Sequence, residues 1–498
     1  MFRPLLRYLK DTIMPRKPPH KPVVIVLGAT GTGKSQLAVD LALRYNGEII
    51  NGDAMQMYTG LPIVTNKITP AEQQGVPHHL IGNVSLDEEP WHVGVFKRKA
   101  EGIIEEIRSR GRLPILVGGT HYYTQSLLFD DHLIEETDKK VEPPQDGNPK
   151  IDVSSQKHPI LAASTEEILA KLREVDPVMA DRWHPKDRRR IQRSLEIYLT
   201  QGQKASDVYA KQRERKSASQ QDGASPNVEE QDRIISLEST LLFWVHAEQE
   251  VLKSRLDARV DKMVENGLIE EVQTLQKLLE LETAAAQPPD LTRGIWVSIG
   301  FKEFSPYLST ITDPATTEKD KSKALALSIE QTKAATRQYA KRQVRWIRLK
   351  LLIALKRAES LRNLYLLDGS EVSNFQLDVS SQAIKVCGGF LGGLDLPPPT
   401  EMLPAAAEFL TPSKDFDFGD RPDLWIRQTC DVCNVTAVTE ANWDFHLQSR
   451  GHRGKLRKLN RPPRVPRQLQ TDVTTDDSKV RSIATDLGSE TTSKDTPI

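Results

Sequence analysis

Apolar positions along the chain change their period several times, and each change predicts an element. The runs "VVIVLG" (23–28), "EIIN" (48–51) and "LPILVGG" (113–119) are short and continuous, the pattern of strands buried on both faces. Between them apolar residues recur at helical spacing. After the first strand a helix is predicted from Ser35, with Leu37, Ala38 and Leu41 on its core side. The unit 23–128 is therefore α/β, a parallel sheet flanked by helices, with ligands expected at the carboxyl ends of the strands. Over 129–239 the pattern becomes helical, in "TEEILAKLREVDPVMADRW" and "DRRRIQRSLEIYLTQG". Two stretches there, "TDKKVEPPQDGNPKIDVSSQKHP" and "RERKSASQQDGASPNVEEQD", have no apolar period and are expected to lack fixed structure. "TLLFWVHA" (240–247) returns to the sheet pattern, so the helical part reads as an insertion. Long helices around 248–282 and 319–364 extend that second half of the core, 240–395. A Pro-rich linker is predicted at 396–424, a small module at 425–467 and a polar tail at 468–498.

Length and charge narrow the picture. At 498 residues the chain has room for about three domains. Lys plus Arg equal Asp plus Glu at 68 each, so any attraction for a polyanion must come from local clusters. No apolar stretch approaches the roughly 18 residues of a membrane span, so no membrane partner is expected. Three cysteines (Cys387, Cys430, Cys433) argue against a disulfide framework and for a reducing compartment. The leader, 1–22, places Phe2, Leu5, Leu6, Leu9 and Ile13 on one helical stripe among Arg3, Arg7 and Lys10. That pattern suits a mitochondrial transit peptide and equally a plain basic leader. The expected location is cytoplasmic, with a mitochondrial pool and a nuclear one.

The first strand runs into "GATGTGKS" (28–35), the G-x-x-x-x-G-K-S pattern of a phosphate-binding P-loop in its required strand, loop, helix context. Backbone N–H groups around Gly28, Gly31 and Gly33 wrap an anion, Lys34 adds a point charge, and the Ser35 hydroxyl suits Mg2+. Most P-loop hydrolases place an Asp at the end of a second apolar strand. Here that strand ends in Gly118-Gly119-Thr120, which weakens the case for triphosphate hydrolysis. The carboxylate comes instead after "EIIN", as Asp53, a fitting general base; a turn residue satisfied by its own backbone is the alternative. Met55, Gln56, Met57 and Tyr58 beside it could sandwich a flat base.

Basic residues follow at helical spacing. In "DRRRIQRSLEIY", Ile191, Leu195 and Tyr198 share one face and Arg189 and Arg193 the opposite one. In "VLKSRLDARVDKMVENG", Arg259 falls beside the apolar stripe of Leu252, Leu256, Val260 and Met263, where a charge must be paired or serve a ligand. "TRQYAKRQVRWIR" brings Tyr339, Arg342 and Trp346 to one face with Lys341 and Arg345 flanking, suited to stacking on bases or to cation–π helix packing. Near the C-terminus, Cys430-x2-Cys433, twelve residues, His446, five residues, His452 is the ligand spacing of a tetrahedral Zn2+ site. The basic run "RGKLRKLNRPPRVPR" follows it and favours RNA contact or nuclear import.

Taken together, "GATGTGKS", "INGDAMQMYTGLPIVTNK", "GVPHHLIG", "PILVGGTHYYTQSLL", "HPKDRRRIQRSLEIY", "SRLDARVDKM", "SIGFKEF" and "TRQYAKRQVRW" in this order resemble the tRNA dimethylallyltransferase (tRNA isopentenyltransferase) family, in its eukaryotic form with a C2H2 zinc finger. The resemblance runs from about Val23 to Trp346, apart from the polar insertions, and the finger matches separately. Ala54 departs from it, since family members commonly carry serine there. The resemblance implies that the loop holds dimethylallyl diphosphate, and that the dimethylallyl group moves to the N6 amine of the adenosine 3′-adjacent to the anticodon, releasing diphosphate. It implies a diphosphate site of Gly28, Ala29, Thr30, Gly31, Thr32, Gly33, Lys34 and Ser35 with Arg255, and a catalytic set of Asp53, Thr30 and Arg259. It also implies tRNA contacts at Asp53, Ala54, Met55 and Gln56, at Thr120, and at Arg189, Arg190, Ile191, Gln192 and Arg193; Lys341 and Arg342 join them on the aromatic and basic pattern above. The expected cofactors are Mg2+ at Ser35 and structural Zn2+; the expected partner is the tRNA anticodon stem-loop, bound by a monomer. Two rival classes remain: a P-loop kinase-like phosphotransferase, and a zinc-finger RNA-binding protein with an inactive P-loop.

Overall fold

The computed structural model describes residues 17–129, 158–221, 233–284, 289–414, 416 and 421–460. Most of the leader, the first polar insertion and the polar tail lie outside the described residues. Six strands form one parallel sheet: β1 (Val23–Gly28), β2 (Gly47–Asn51), β3 (His78–His79), β4 (Leu113–Val117), β5 (Thr240–His246) and β6 (Leu364–Asp368), in the order β3-β2-β4-β1-β5-β6. Alternation explains why β1 is apolar throughout. Val23, Ile25 and Leu27 enter a core with Phe96, Ile104 and Trp244, while Val24 and Val26 enter the opposite core with Leu37, Leu41 and Phe390. Helix α1 (Lys34–Tyr45) covers the second face with Leu37, Ala38 and Leu41 buried as expected, and α2 (Val93–Ser109) covers the first with Phe96, Ala100 and Ile104. No helix among the described residues is long and apolar enough to cross a membrane.

Helix α3 (His121–Leu128) leads to the insertion, where α4 (Thr165–Val175), α5 (Pro177–Arg182), α6 (Arg188–Gln201) and α7 (Ala205–Gln221) stand on the near side of β5. Leu161, Ile168, Leu172, Met179, Ile191, Leu195 and Ile197 give this lobe its own core. Helix α7 continues through Gln221, into the second stretch expected to lack structure, whose remainder, 222–232, lies outside the described residues. Beyond β5 come α8 (Gln249–Glu265), α9 (Leu268–Ala284), α10 (Phe301–Thr312) and α11 (Glu318–Trp346).

Two expectations need correction, and one strand went unread. The helix expected over 319–364 ends at Arg357, and "LYLLD" is strand β6, paired with β5 from Leu242–Leu364 to His246–Asp368. Its leucines continue a helical apolar pattern, so only pairing with β5 decides its state. Strand β3 carries no apolar signal and is defined by backbone pairing to Ile49 and Ile50. The first half of the expected linker is a packed strap. Ala406 and Leu410 are buried, the Phe409 ring lies 4.3 Å from that of His246, and Tyr365 donates to the Pro397 carbonyl at 3.0 Å. Helix α12 (Gln382–Leu391) packs beside it on the α1 face through Val386 and Phe390.

The C-terminal module comprises a hairpin, β7 (Trp425–Thr429) and β8 (Thr436–Thr439), then α13 (Glu440–Gln448) and α14 (Arg450–Leu459). Ser449 separates the two helices that carry the zinc-site histidines: its hydroxyl accepts from His452 N–H at 3.1 Å and starts α14. The module sits on the insertion. Arg427 donates to Ala180 O at 3.1 Å, and the Arg182 guanidinium lies 4.3 Å from the Trp425 ring, 4.5 Å from Trp183 and 4.9 Å from Tyr209.

Candidate active site

The carboxyl ends of β1, β2 and β4 meet in one cleft, and backbone geometry there requires glycine. Gly28 has φ 146°, and a Cβ on it would fall 2.3 Å from Val245 O; Gly33 has φ 91°, caps α1 without a side-chain hydrogen bond, and would put a Cβ 2.4 Å from the Phe375 ring. The first N–H groups of α1 are thus directed into the loop, where an anion satisfies them. Thr32 Oγ1 and Lys34 Nζ both donate to Ala29 O, at 2.9 and 2.7 Å, which closes the loop on itself. Burial pulls the Lys34 ammonium down to about 8, against the opposing charge of Asp53. A depression of that size disfavours the cation by about 3 kcal/mol, a cost that a bound anion would offset.

Asp53 follows β2 in a turn built by Asn51. Asn51 Oδ1 accepts Asp53 N–H at 3.0 Å, and its Nδ2 donates to the carbonyls of Asp53 and Leu80 at 3.0 and 2.9 Å. One carboxylate oxygen, Oδ1, accepts Met55 N–H at 3.0 Å, so the local turn bond exists. Burial pushes the Asp53 carboxyl up, while Met55, Lys34 and Arg259 act to hold it down. Thr120, at the end of β4, accepts Ala54 N–H at 3.1 Å and ties the two turns together. Met57 and Tyr58 are core residues and cannot sandwich a base; only Met55 and Gln56 remain half-exposed, Gln56 donating to Asn66 O at 3.0 Å.

The two arginines of α8 separate. Arg255 donates to the carbonyls of Gly369 at 2.6 Å and of Ser370, so its guanidinium anchors the loop after β6. Arg259, one turn later, has a buried Nε with no hydrogen-bond partner among the described residues. Burial lowers it to about 10, opposed by Asp53. An unpartnered buried guanidinium nitrogen acting on Lys34 and Asp53 is a donor that an anion could satisfy. His121, at the start of α3, is kept neutral, pulled to about 3 by burial and then by Lys34.

Helix α11 supplies a residue that periodicity missed. Gln343 is buried, accepts Thr30 N–H through Oε1 at 2.8 Å and donates from Nε2 to Gly119 O at 3.0 Å. Tyr339, one turn earlier, has its hydroxyl against Thr120 and Gln343, and burial pushes its phenol above the usual range, making it a weaker acid. The expected common face of Tyr339, Arg342 and Trp346 is divided: Trp346 donates to Gln125 Oε1 at 2.9 Å, whereas Arg342 and Lys341 are exposed. On α6, Arg189 acts electrostatically on Tyr122 and Tyr123, so this helix looks across at the cleft. Arg190 pairs with Asp187 at 3.4 Å and Arg193 with Glu196 at 2.8 Å, and Gln192 is half-buried. Ile191 is fully buried in the lobe's core and offers nothing to a ligand, because the apolar stripe of α6 requires it there.

Cys430, Cys433, His446 and His452 converge, with one ligand atom from each within 4.8 Å of all the others. His452 Nδ1 is 3.5 Å from both sulfurs, the edge of a tetrahedron around Zn2+ with bonds of about 2.0–2.3 Å. His446 Nε2 is buried without a partner, as a ligand nitrogen awaiting its metal would be. The four residues fit structural Zn2+.

The family model described as IPP transferase matches residues 56–350, and one described as a zinc-finger of C2H2 type matches residues 429–452. The chain is 36% identical to a tRNA dimethylallyltransferase of Saccharomyces cerevisiae, over 89% of its own length and 93% of the relative's. This chain belongs to the IPP transferase family. A human tRNA dimethylallyltransferase is 32% identical over 88% of the chain and 87% of the relative. A crystal structure of a eukaryotic dimethylallyltransferase acting on tRNA superposes with a TM-score of 0.63 at 33% identity, covering 88% of this chain and 96% of that one. The family match spans Asp53's neighbours Gln56 to Tyr58, both arginines of α8 and all of α11, while the P-loop itself precedes residue 56. Two members of the site had no signal in the sequence. Asn51 looked like the last residue of a strand, and Gln343 like one polar position in a basic helix.

Proposed function

We propose that this IPP transferase moves the dimethylallyl group of dimethylallyl diphosphate to the N6 amine of the adenosine 3′-adjacent to the anticodon of tRNA. The observation that carries this reading is the pairing of two buried cations, Lys34 and Arg259, the second with an unpartnered Nε, with a buried carboxylate, Asp53, across one cleft. The bond from the allylic carbon to the diphosphate oxygen breaks and the bond from N6 to that carbon forms. The proton on N6 passes to Asp53, and diphosphate leaves into the loop. An allylic carbon needs its leaving group neutralised more than it needs a strong nucleophile. Lys34, Arg259 and the α1 N-terminus answer that need, with Thr30 at the mouth of the loop. Mg2+ would be held by the exposed Ser35 hydroxyl together with diphosphate oxygens, adding positive charge where the leaving group forms. Arg189 on α6, with Lys341 and Arg342 on α11, offers exposed cations for the anticodon stem-loop.

Incubating the purified chain with unmodified tRNA and either dimethylallyl diphosphate or ATP tests the reading. Prenylated adenosine from the first donor and no phosphorylated product from the second are expected. Phosphoryl transfer from ATP in place of prenyl transfer would assign the kinase class instead.

The zinc module should serve affinity rather than chemistry, because among the described residues its polar contacts to the rest of the chain run to α5. Replacing Cys430 and Cys433 by Ser abolishes zinc binding in metal analysis. Turnover of an isolated anticodon stem-loop should stay within about threefold, while affinity for full-length tRNA falls about tenfold, as expected when several phosphate contacts are lost. Loss of stem-loop turnover in a folded double variant would place the module in the reaction itself.

A further inference from the structure

We propose that Gln343 is a positioning residue that sets the distance between the phosphate loop and the general base, so that donor carbon and acceptor amine meet in line. The proposal rests on the prenyl-transfer reading above. One side-chain amide joins the two halves of the cleft: Oε1 holds Thr30 N–H of the phosphate loop at 2.8 Å, and Nε2 holds Gly119 O at 3.0 Å. The second bond falls on the turn that bears Thr120, whose hydroxyl accepts Ala54 N–H beside Asp53. The path from loop to base thus runs through Thr30, Gln343, Gly119–Thr120 and Ala54. Approach at its centre is close. A Cβ on Gly119 would lie 2.2 Å from Gln343 Nε2 and 3.2 Å from Asp53 Oδ2. Glutamine is the side chain this requires, since the loop offers a donor and the β4 turn an acceptor, and only a neutral amide answers both without adding charge beside Asp53. The N–H of Thr30 and the carbonyl of Gly119 are 89 residues apart in sequence and belong to different strand ends. Without the amide each loses its buried partner, and the two turns are free to separate. A misplacement of about 1 Å in such a site costs on the order of 10²-fold in rate.

The test uses the full chain, dimethylallyl diphosphate and unmodified tRNA, with wild type measured alongside. An inactive wild type would overturn the functional reading, and with it this proposal; an active wild type isolates the question of Gln343. Gln343→Leu keeps the volume and removes both bonds. Its single-turnover rate should fall by roughly 10- to 100-fold, with donor and tRNA dissociation constants within about threefold of wild type. Gln343→Glu supplies a second readout that a merely structural role would not move. The introduced carboxyl lies beside Tyr339 and Asp53, and Asp53 in turn acts on Lys34 and Arg259; ionised it accepts from Thr30 but cannot donate to Gly119, and protonated it does both. The ratio of the Glu variant's rate to that of wild type should therefore rise as pH is lowered. A Leu variant within about twofold of wild type in single turnover, or a Glu-to-wild-type ratio that is flat with pH, overturns the proposal.

Discussion

Asp53→Asn should lower the single-turnover rate of prenyl transfer by about 10²- to 10⁴-fold, the range associated with general-base catalysis, and leave the affinity for dimethylallyl diphosphate nearly unchanged. The amide retains the oxygen that accepts Met55 N–H, so the turn after β2 persists. What it loses is the site for the N6 proton. The same change removes a negative charge that competes with the diphosphate for Lys34 and Arg259 but that also holds both groups protonated, so its two effects on donor affinity oppose each other. Asp53 is pushed up by burial, so the wild-type rate should fall on the acid side as the carboxylate is protonated, at a pH above that of an ordinary aspartate. That limb should be missing in the Asn variant. Single-turnover rates as a function of pH measure both effects, and an Asn enzyme within a few-fold of wild type would show that the amine needs no protein base.

Lys34→Ala has the second large effect and a different signature. It removes a charge that faces the diphosphate in the ground state and in the transition state alike. KM for the donor should rise and kcat fall together, kcat/KM dropping by about 10²- to 10³-fold as for loss of one stabilising donor at a developing anion. In the free protein the Lys34 ammonium titrates at about 8. The sign follows: below that pH the cation is ready for the donor, and above it binding must first take up a proton. Donor affinity of wild type should therefore decline as pH rises past 8 and be flat in this range for the Ala variant. Donor titrations at several pH values check it, and parallel profiles for the two proteins would remove Lys34 from the cradle.

The parts of the molecule that were legible in the sequence are those that local chemistry dictates. The glycines of the P-loop are needed by positive φ and close approach within one turn, and the zinc ligands by spacing within one hairpin and the two short helices after it. Continuous apolar runs marked β1, β2, β4 and β5 because each is covered on both faces. Where packing at long range decides, the pattern was silent. Strand β6 is a helical-looking leucine run that becomes a strand through β5. Arg255 and Arg259 are the same residue type one turn apart, and only the fold shows that one faces Gly369 and Ser370 while the other faces the cleft. Gln343 reaches Thr30 across 313 residues of sequence, a distance at which no motif around either residue signals the other. Ile191 entered the expected tRNA-contacting set as part of the segment Arg189 to Arg193 that the resemblance implies, although its own stripe placed it in the core.

The most direct measurement of the central claim is nucleoside analysis of tRNA from cells with and without this chain. N6-(dimethylallyl)adenosine at the position 3′-adjacent to the anticodon should be absent without it, restored by the wild-type chain and not restored by Asp53→Asn. An unchanged level of that nucleoside in tRNA from cells lacking the chain would contradict the assignment of this cleft to prenyl transfer.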